Sequence, residues 1–250
     1  MQAFFGNQDL KQNLMAQIES HIKAGELVQY QGLWKNGKGD LVGCCTHSEH
    51  DVSKVALHYE DFESLYGVPK ELVEVGNAIF HELPHDEATE RSKSFLRAIH
   101  VGADLRPVTS SYFSWLLFST QDGMLRLIES KELVDAVHDY YERELDESTR
   151  ESVSIVIYKW AMSYAHQFNR VPHAARYASR VVAHAVRNSF REECCSAFEC
   201  EKNAIKATAA AVGSSFAESD VLVANEAKVV AVKKAAKTHW DQLLLLTSNR

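Results

Sequence analysis

Residues 124–250 contain a single glycine, Gly213, and a single proline, Pro172. These two residue types interrupt helices most strongly, so their scarcity leaves long stretches in which nothing stops helix propagation. Alanine recurs there at three- and four-residue spacing, as in Ala174/Ala178, Ala207/Ala211 and Ala227/Ala231. Small side chains at that period let helices approach closely. The pattern predicts a mainly α protein, a multi-helix, bundle-like architecture in which residues 148–250 form an alanine-rich helical layer packed on a helical domain of residues 1–147.

Breakers are denser in the first half, and helical periodicity is clear between them. Leu10, Leu14, Ile18 and Ile22 recur every four residues and Gly25 follows as a helix stop. Leu27–Trp34 and Asp40–Thr46 flank Asn36-Gly37, which reads as one small β-hairpin over about 27–46. Helices are expected at 52–65, 69–83, 86–99, 109–119, 130–145, 150–168, 172–200, 203–213 and 219–246, with Ser148 and Ser219 as N-caps and Gly67 and Gly213 at helix ends. The last of these closes on Trp240 and Leu243–Leu246, a core segment or a subunit contact; a homo-oligomer is thus among the expected partners.

The chain has 250 residues, a formal charge of −7 and a pI near 5.9. That balance speaks against a globally basic nucleic-acid binder and makes the local placement of charge decisive. Met1–Asn7 shows neither a basic leader nor an apolar run, and no stretch has the length of a membrane span, so a cytoplasmic protein with no membrane partner is expected. Five cysteines, four of them in the two adjacent pairs Cys44/Cys45 and Cys194/Cys195, suit free thiols in a reducing compartment.

Chemistry-bearing residues gather in two places. The segment Cys44-Cys45-Thr46-His47-Ser48-Glu49-His50 offers Cys44, Cys45, His47 and His50 as metal ligands, and zinc is the ion such thiol and imidazole donors suit. A nucleophilic Cys44 would need His47 as base and Asp104 as the orienting carboxylate. Buried thiols and ordinary histidines are the competing structural reading. His81-Glu82-Leu83-Pro84-His85 spells H-E-x-x-H, yet a zinc grip needs both histidines on one helical face and Pro84 breaks that turn. One helix ending and another beginning at Pro84 is expected instead.

The second place is the helix after Pro172. His173, Arg176, Arg180, His184, Arg187 and Arg191 follow at spacings of 3, 4, 4, 3 and 4, one stripe of a helix, with Ala175, Ala178, Val182, Ala185 and Val186 opposite. No acidic residue interrupts the stripe, and arginine's planar fork suits carboxylate or phosphate. An acidic protein surface or a nucleic-acid backbone is the expected partner. Internal pairing with the acidic run Glu142, Glu144, Asp146, Glu147 and Glu151 is the alternative.

Phe4-Phe5-Gly6, the segment G-K-G-D-L-V-G-C-C-T-H at 37–47, Ala78-Ile79-Phe80 with Leu83-Pro84, and Phe95 to Leu105 with its V-G-A-D-L run together resemble a group of uncharacterised bacterial and phage proteins. The resemblance spans about residues 4–145. The group's hairpin reads G-x-G-C-x-V-G-C, whereas this chain has Asp40 at the first cysteine. It also has His81-Glu82 for Glu-Gly and His100 for a proline. The resemblance implies a phage or mobile-element setting, in which a small protein binds and redirects host machinery. Together these readings predict a helical interaction protein that engages a host protein or nucleoprotein complex. An enzyme or zinc-stabilised protein centred on the Cys/His loop is the alternative; no cofactor is otherwise expected.

Overall fold

A computed structural model describes residues 2–47, 58–167, 170–188, 197–213 and 221–249, with 188, 212–213 and 221–228 as backbone. Among these residues stand eleven α-helices and one two-stranded antiparallel sheet, so the protein is mainly α with a small hairpin near its N-terminus. None of the described helices is long and apolar enough to cross a membrane. The chain divides into two compact units, residues 1–112 with 236–250, and residues 113–235.

The first unit opens with a 3-10 turn at Ala3–Gly6, followed by α1 (Gln8–Ala24). Asn7 caps α1 by accepting from the Asp9 and Leu10 N–H groups, and Gly25 ends it in the left-handed conformation, as the sequence predicts. The hairpin is shorter than its sequence suggests. Strands β1 (Trp34–Lys35) and β2 (Lys38–Gly39) pair Trp34 with Gly39 and Lys35 with Lys38 across Asn36-Gly37. Both turn residues have positive φ (54° and 73°), the conformation that a two-residue hairpin turn requires. The preceding segment fails to continue the strand because Tyr30 and Gly32 also turn left-handed, at 62° and 85°.

Residues 41–46, expected as the second strand, form the helix α2 (Leu41–Thr46). All six of its residues are buried, and a short apolar run without alternation fits a buried helix as well as a strand. Asp40 decides between them: its carboxylate caps the Gly43 N–H at 2.9 Å and its carbonyl accepts from Cys44 at 3.0 Å. Then follow α3 (Tyr59–Tyr66), α4 (Lys70–Glu82), α5 (His85–Ala98) and α6 (Arg106–Phe118). Helix α4 ends at Glu82 and α5 starts after Pro84, which confirms the break read from the H-E-L-P-H run.

The core of this unit joins Phe4, Leu14, Ile18, Leu72, Ile79, Phe80 and Phe95. The last helix, α11 (Val221–Ser248), contributes buried Trp240 and Leu243, with the Trp240 ring 5.7 Å from that of Phe95. Arg91 bonds Asp241 at 2.7 Å, and Lys237 pairs with Glu87.

The second unit contains a 3-10 turn at Met124–Leu127, α7 (Lys131–Glu142), α8 (Glu147–Ala165), α9 (His173–Asn188) and α10 (Ala197–Gly213). Asp146, not Ser148, caps α8, taking the Thr149 N–H at 2.9 Å and its hydroxyl at 2.6 Å. The expected cap at Ser219 lies outside the described residues. Helix α9 packs on α8, α10 and the Met124–Leu127 turn. Its buried Ala175, Ala178, Val182, Ala185 and Val186 form the packing face expected from their spacing, and Ala204, Ile205 and Ala207 of α10 are buried with them.

Gly43 is where backbone approach is tightest. A Cβ there would stand 1.3 Å from the Leu33 carbonyl oxygen, and one on Gly39 would stand 2.1 Å from the same atom. Gly43→Ala therefore forces the hairpin off α2, and a loss of about 2–4 kcal/mol is expected in urea unfolding followed by circular dichroism. Unchanged stability would mean that the Leu33 contact is dispensable.

Candidate functional site

The Cys/His segment lies on α2 and its C-terminal end. Cys44 and Cys45 are fully buried, and both thiols titrate far above their ordinary range, Cys44 from burial first and then from the Asp40 carboxylate, Cys45 from burial first. The Cys44 Sγ points to the Gly39 carbonyl at 3.6 Å. At neutral pH these are protonated thiols, the state of buried structural cysteines. His47 stacks on Trp34 with ring centroids 3.6 Å apart and meets the His21 ring edge-on at 4.5 Å. Its Nδ1 is buried without well-formed hydrogen bonds among the described residues, although the Gly43 and Cys44 carbonyls lie near. His21 in turn bonds Glu26 at 2.6 Å.

Asp104 stands elsewhere, on the surface. Arg106 takes both of its carboxylate oxygens, at 2.9 and 2.7 Å, and holds the carboxyl well below the usual carboxylate range. The described contacts therefore do not join Cys44, His47 and Asp104 in one hydrogen-bonded set. His50 lies outside the described residues, and among the described residues no three His, Cys, Asp or Glu side chains converge as metal ligands.

A buried polar cluster beside α2 is the feature that sequence reasoning missed. Asp40 Oδ2 accepts from Asn77 Nδ2 at 2.9 Å and faces His81 Nε2 at 3.6 Å. Asn77 Nδ2 also reaches the Tyr59 hydroxyl at 3.0 Å. His81 Nδ1 accepts the Tyr30 backbone N–H at 2.9 Å. His81 thus accepts through Nδ1 and turns Nε2 toward Asp40, so the ring is engaged within the fold. Asp40 standing immediately before an apolar run was the available signal, since that is an N-cap position.

The arginine stripe on α9 is half-buried from Arg176 through Arg187, while His173 at the start of the helix is exposed. Arg176 Nε donates to the Ala165 carbonyl at 3.1 Å and so satisfies a C-terminal carbonyl of α8. Arg180 lies over the Tyr177 ring at 5.7 Å, and Arg187 meets the Ser154 hydroxyl at 3.4 Å. Neither Arg180 nor Arg187 has a carboxylate within ion-pair distance among the described residues. Between them His184 keeps a buried Nδ1 with no hydrogen-bond partner there, and burial first lowers its affinity for protons. Glu199 opposes that shift but is itself paired with Lys202 at 3.1 Å. Arg191 lies outside the described residues. The stripe thus presents two guanidinium groups, half-buried and without a carboxylate in ion-pair reach among the described residues. Desolvated cations gain most from a bound anion.

Compared with known proteins, the chain matches no family model, no curated protein and no solved structure.

The titration of His47 has a definite sign. Burial, and then the neighbouring His21, lower its proton affinity below the ordinary value of 6.5. The unfolded chain therefore takes up a proton before the folded one does. Stability from this ring is complete above the unfolded value and is lost as the pH falls through the folded one. His47→Phe keeps an aromatic face on Trp34 without a titrating nitrogen. Its loss of stability between about pH 7.5 and about pH 5 is expected to be smaller than that of the wild type in parallel urea titrations. An identical loss in both proteins would show that His47 does not contribute.

Proposed function

We propose that this is a helical interaction protein of the cytoplasm that binds an anionic partner, an acidic protein surface or a nucleic-acid backbone, through α9. The observation that carries the reading is the pair Arg180 and Arg187, half-buried around His184 with no carboxylate in ion-pair reach among the described residues. The nearby acidic run does not occupy them. Fixed arginines recognise carboxylate and phosphate alike through paired N–H donors. The resemblance to bacterial and phage proteins makes a host protein or nucleoprotein complex the kind of target to expect. Chemistry at Cys44 is the weaker alternative, because its thiol is buried and held protonated.

Arg180→Glu/Arg187→Glu tests this. Both side chains stand on the less buried face of α9, so the variant is expected to keep the wild-type circular dichroism spectrum. Binding to duplex DNA would be read by fluorescence anisotropy, and retention of host proteins by pull-down after nuclease treatment. The wild type should hold one of the two, with affinity falling as salt rises, and the variant should lose at least about tenfold. A folded variant that binds as well as the wild type removes α9 from the interface.

A further inference from the structure

His21 bonds Glu26 at 2.6 Å, His81 accepts the Tyr30 N–H at 2.9 Å, His85 meets Gln29 at 3.1 Å and His166 meets the Met162 carbonyl at 2.6 Å. The fold makes no such use of His184. Neither of its ring nitrogens has a hydrogen bond among the described residues, and Nδ1 is buried although the residue as a whole is half-buried. Native folds leave few polar atoms in that condition, because withdrawing one from water without a partner is costly.

Its place on the helix gives the ring a task. His184 stands four residues after Arg180 and three before Arg187, one helical turn from each on the same stripe. All three side chains are half-buried, and none has a carboxylate in ion-pair reach among the described residues. Helix α9 packs on α8, α10 and the Met124–Leu127 turn. Glu199 of α10 acts on the ring, though its carboxylate already pairs with Lys202 at 3.1 Å, and Arg180 acts on it from α9 itself. Among the described residues no charged group of α8 or of the turn does so. Burial is the largest influence and lowers the ring's proton affinity; Glu199 acts against it and Arg180 adds to it. Without a bound anion the imidazole is therefore neutral at neutral pH.

We propose that His184 is the proton-sensitive member of the anion site on α9, taking up a proton as the anion binds, so that binding tightens as the pH falls. The inference rests on the reading of α9 as an anion site and adds a regulator to it. Its sign follows from linkage. A negative charge set between Arg180 and Arg187 offsets both the repulsion from Arg180 and the burial that disfavours a charged ring, so the complex holds a proton more readily than the free protein. By reciprocity, a proton on the ring strengthens the hold on the anion by the same factor. The cationic ring also carries two N–H donors where the neutral ring has one, and donors on a charged group bond anions most strongly. The gain is absent at a pH where the ring is neutral in both states, and it is complete below the pH at which the free ring is protonated.

Rhodamine-labelled duplex DNA and rhodamine-labelled poly-L-glutamate serve as probes, one for each kind of anion, in anisotropy titrations of the full chain at constant ionic strength. The wild type is expected to bind one of them at least about fivefold more tightly at about pH 5.5 than at about pH 8, since each unit by which the complex raises the ring's proton affinity is worth tenfold. His184→Gln keeps a polar side chain that cannot take a proton. It should still bind at the higher pH and lose most of the ratio. His173→Gln, which changes the exposed histidine at the start of the helix, should keep the ratio and so separates His184 from a general gain of positive charge. Should His184→Gln misfold by circular dichroism, NMR of the wild type with isotope-labelled histidine gives a second reading, in which the midpoint of the His184 ring should rise when the probe is added. A ratio as large in His184→Gln as in the wild type, or a His184 midpoint that the probe does not move, overturns the inference and leaves the α9 site standing. A wild type that binds neither probe at either pH overturns the site and the inference with it.

Discussion

A single carboxylate buried in the first unit organises what surrounds it. Asp40 is 2% exposed, and a charge removed from water so completely persists only when hydrogen bonds replace the lost solvation. One of its oxygens takes the Gly43 N–H and fixes the start of α2; the other takes Asn77 Nδ2 and faces His81, both on α4. Two helices distant in sequence are thereby bound through one side chain. The other end of α2 is held in the same manner, since Gln17 donates to the Cys44 and Cys45 carbonyls and the Tyr66 hydroxyl donates to Cys45. Six residues are too few to sustain an isolated helix. Side chains from α1, α3 and α4 supply what its length does not.

This arrangement gives the conspicuous motifs of the first unit structural tasks. The letters of H-E-x-x-H divide between two helices, with His81 accepting from Tyr30 and His85 meeting Gln29 at 3.1 Å. Phe4 and Phe5 occupy left-handed backbone, at φ values of 53° and 50°, which is strained for side chains of that size. The strain is held by pairing with the V-G-A-D run: Ala3 donates to the Ala103 carbonyl at 2.9 Å and Gly102 to the Ala3 carbonyl at 2.8 Å. Phe4 is fully buried as a result. The Phe4-Phe5-Gly6 turn and the Val101–Asp104 run thus meet in space and hold one another.

Periodicity read alone was enough for α1, for the α4–α5 break at Pro84 and for the packing face of α9, because each depends on local spacing or on proline chemistry. It misread residues 40–46. Leu41-Val42-Gly43-Cys44-Cys45 is a uniformly buried apolar run, and the Asp40 cap that makes it a helix is supported by Asn77, His81, Gln17 and Tyr66, all remote in sequence. For the same reason spacing could not show that Asp104 is engaged by its neighbour Arg106. The stripe on α9 was visible as a pattern. Whether acidic residues already neutralised it depended on distances between helices, which sequence spacing does not encode.

The second unit differs from the first in where its polarity is spent. In the first, the buried Asp40, Asn77 and His81 face one another. In α9 the inner face is satisfied by alanine and valine packing, and Arg176 is committed to the end of α8, yet Arg180 and Arg187 exceed what packing asks of that helix. Helix α8 shows the converse, an inner face already complete and apolar side chains beyond it at Val156 and Trp160. Charge kept half-buried without a counter-ion among the described residues, and apolar surface kept in water, both cost free energy. The anionic partner proposed for α9 would recover the first of these costs.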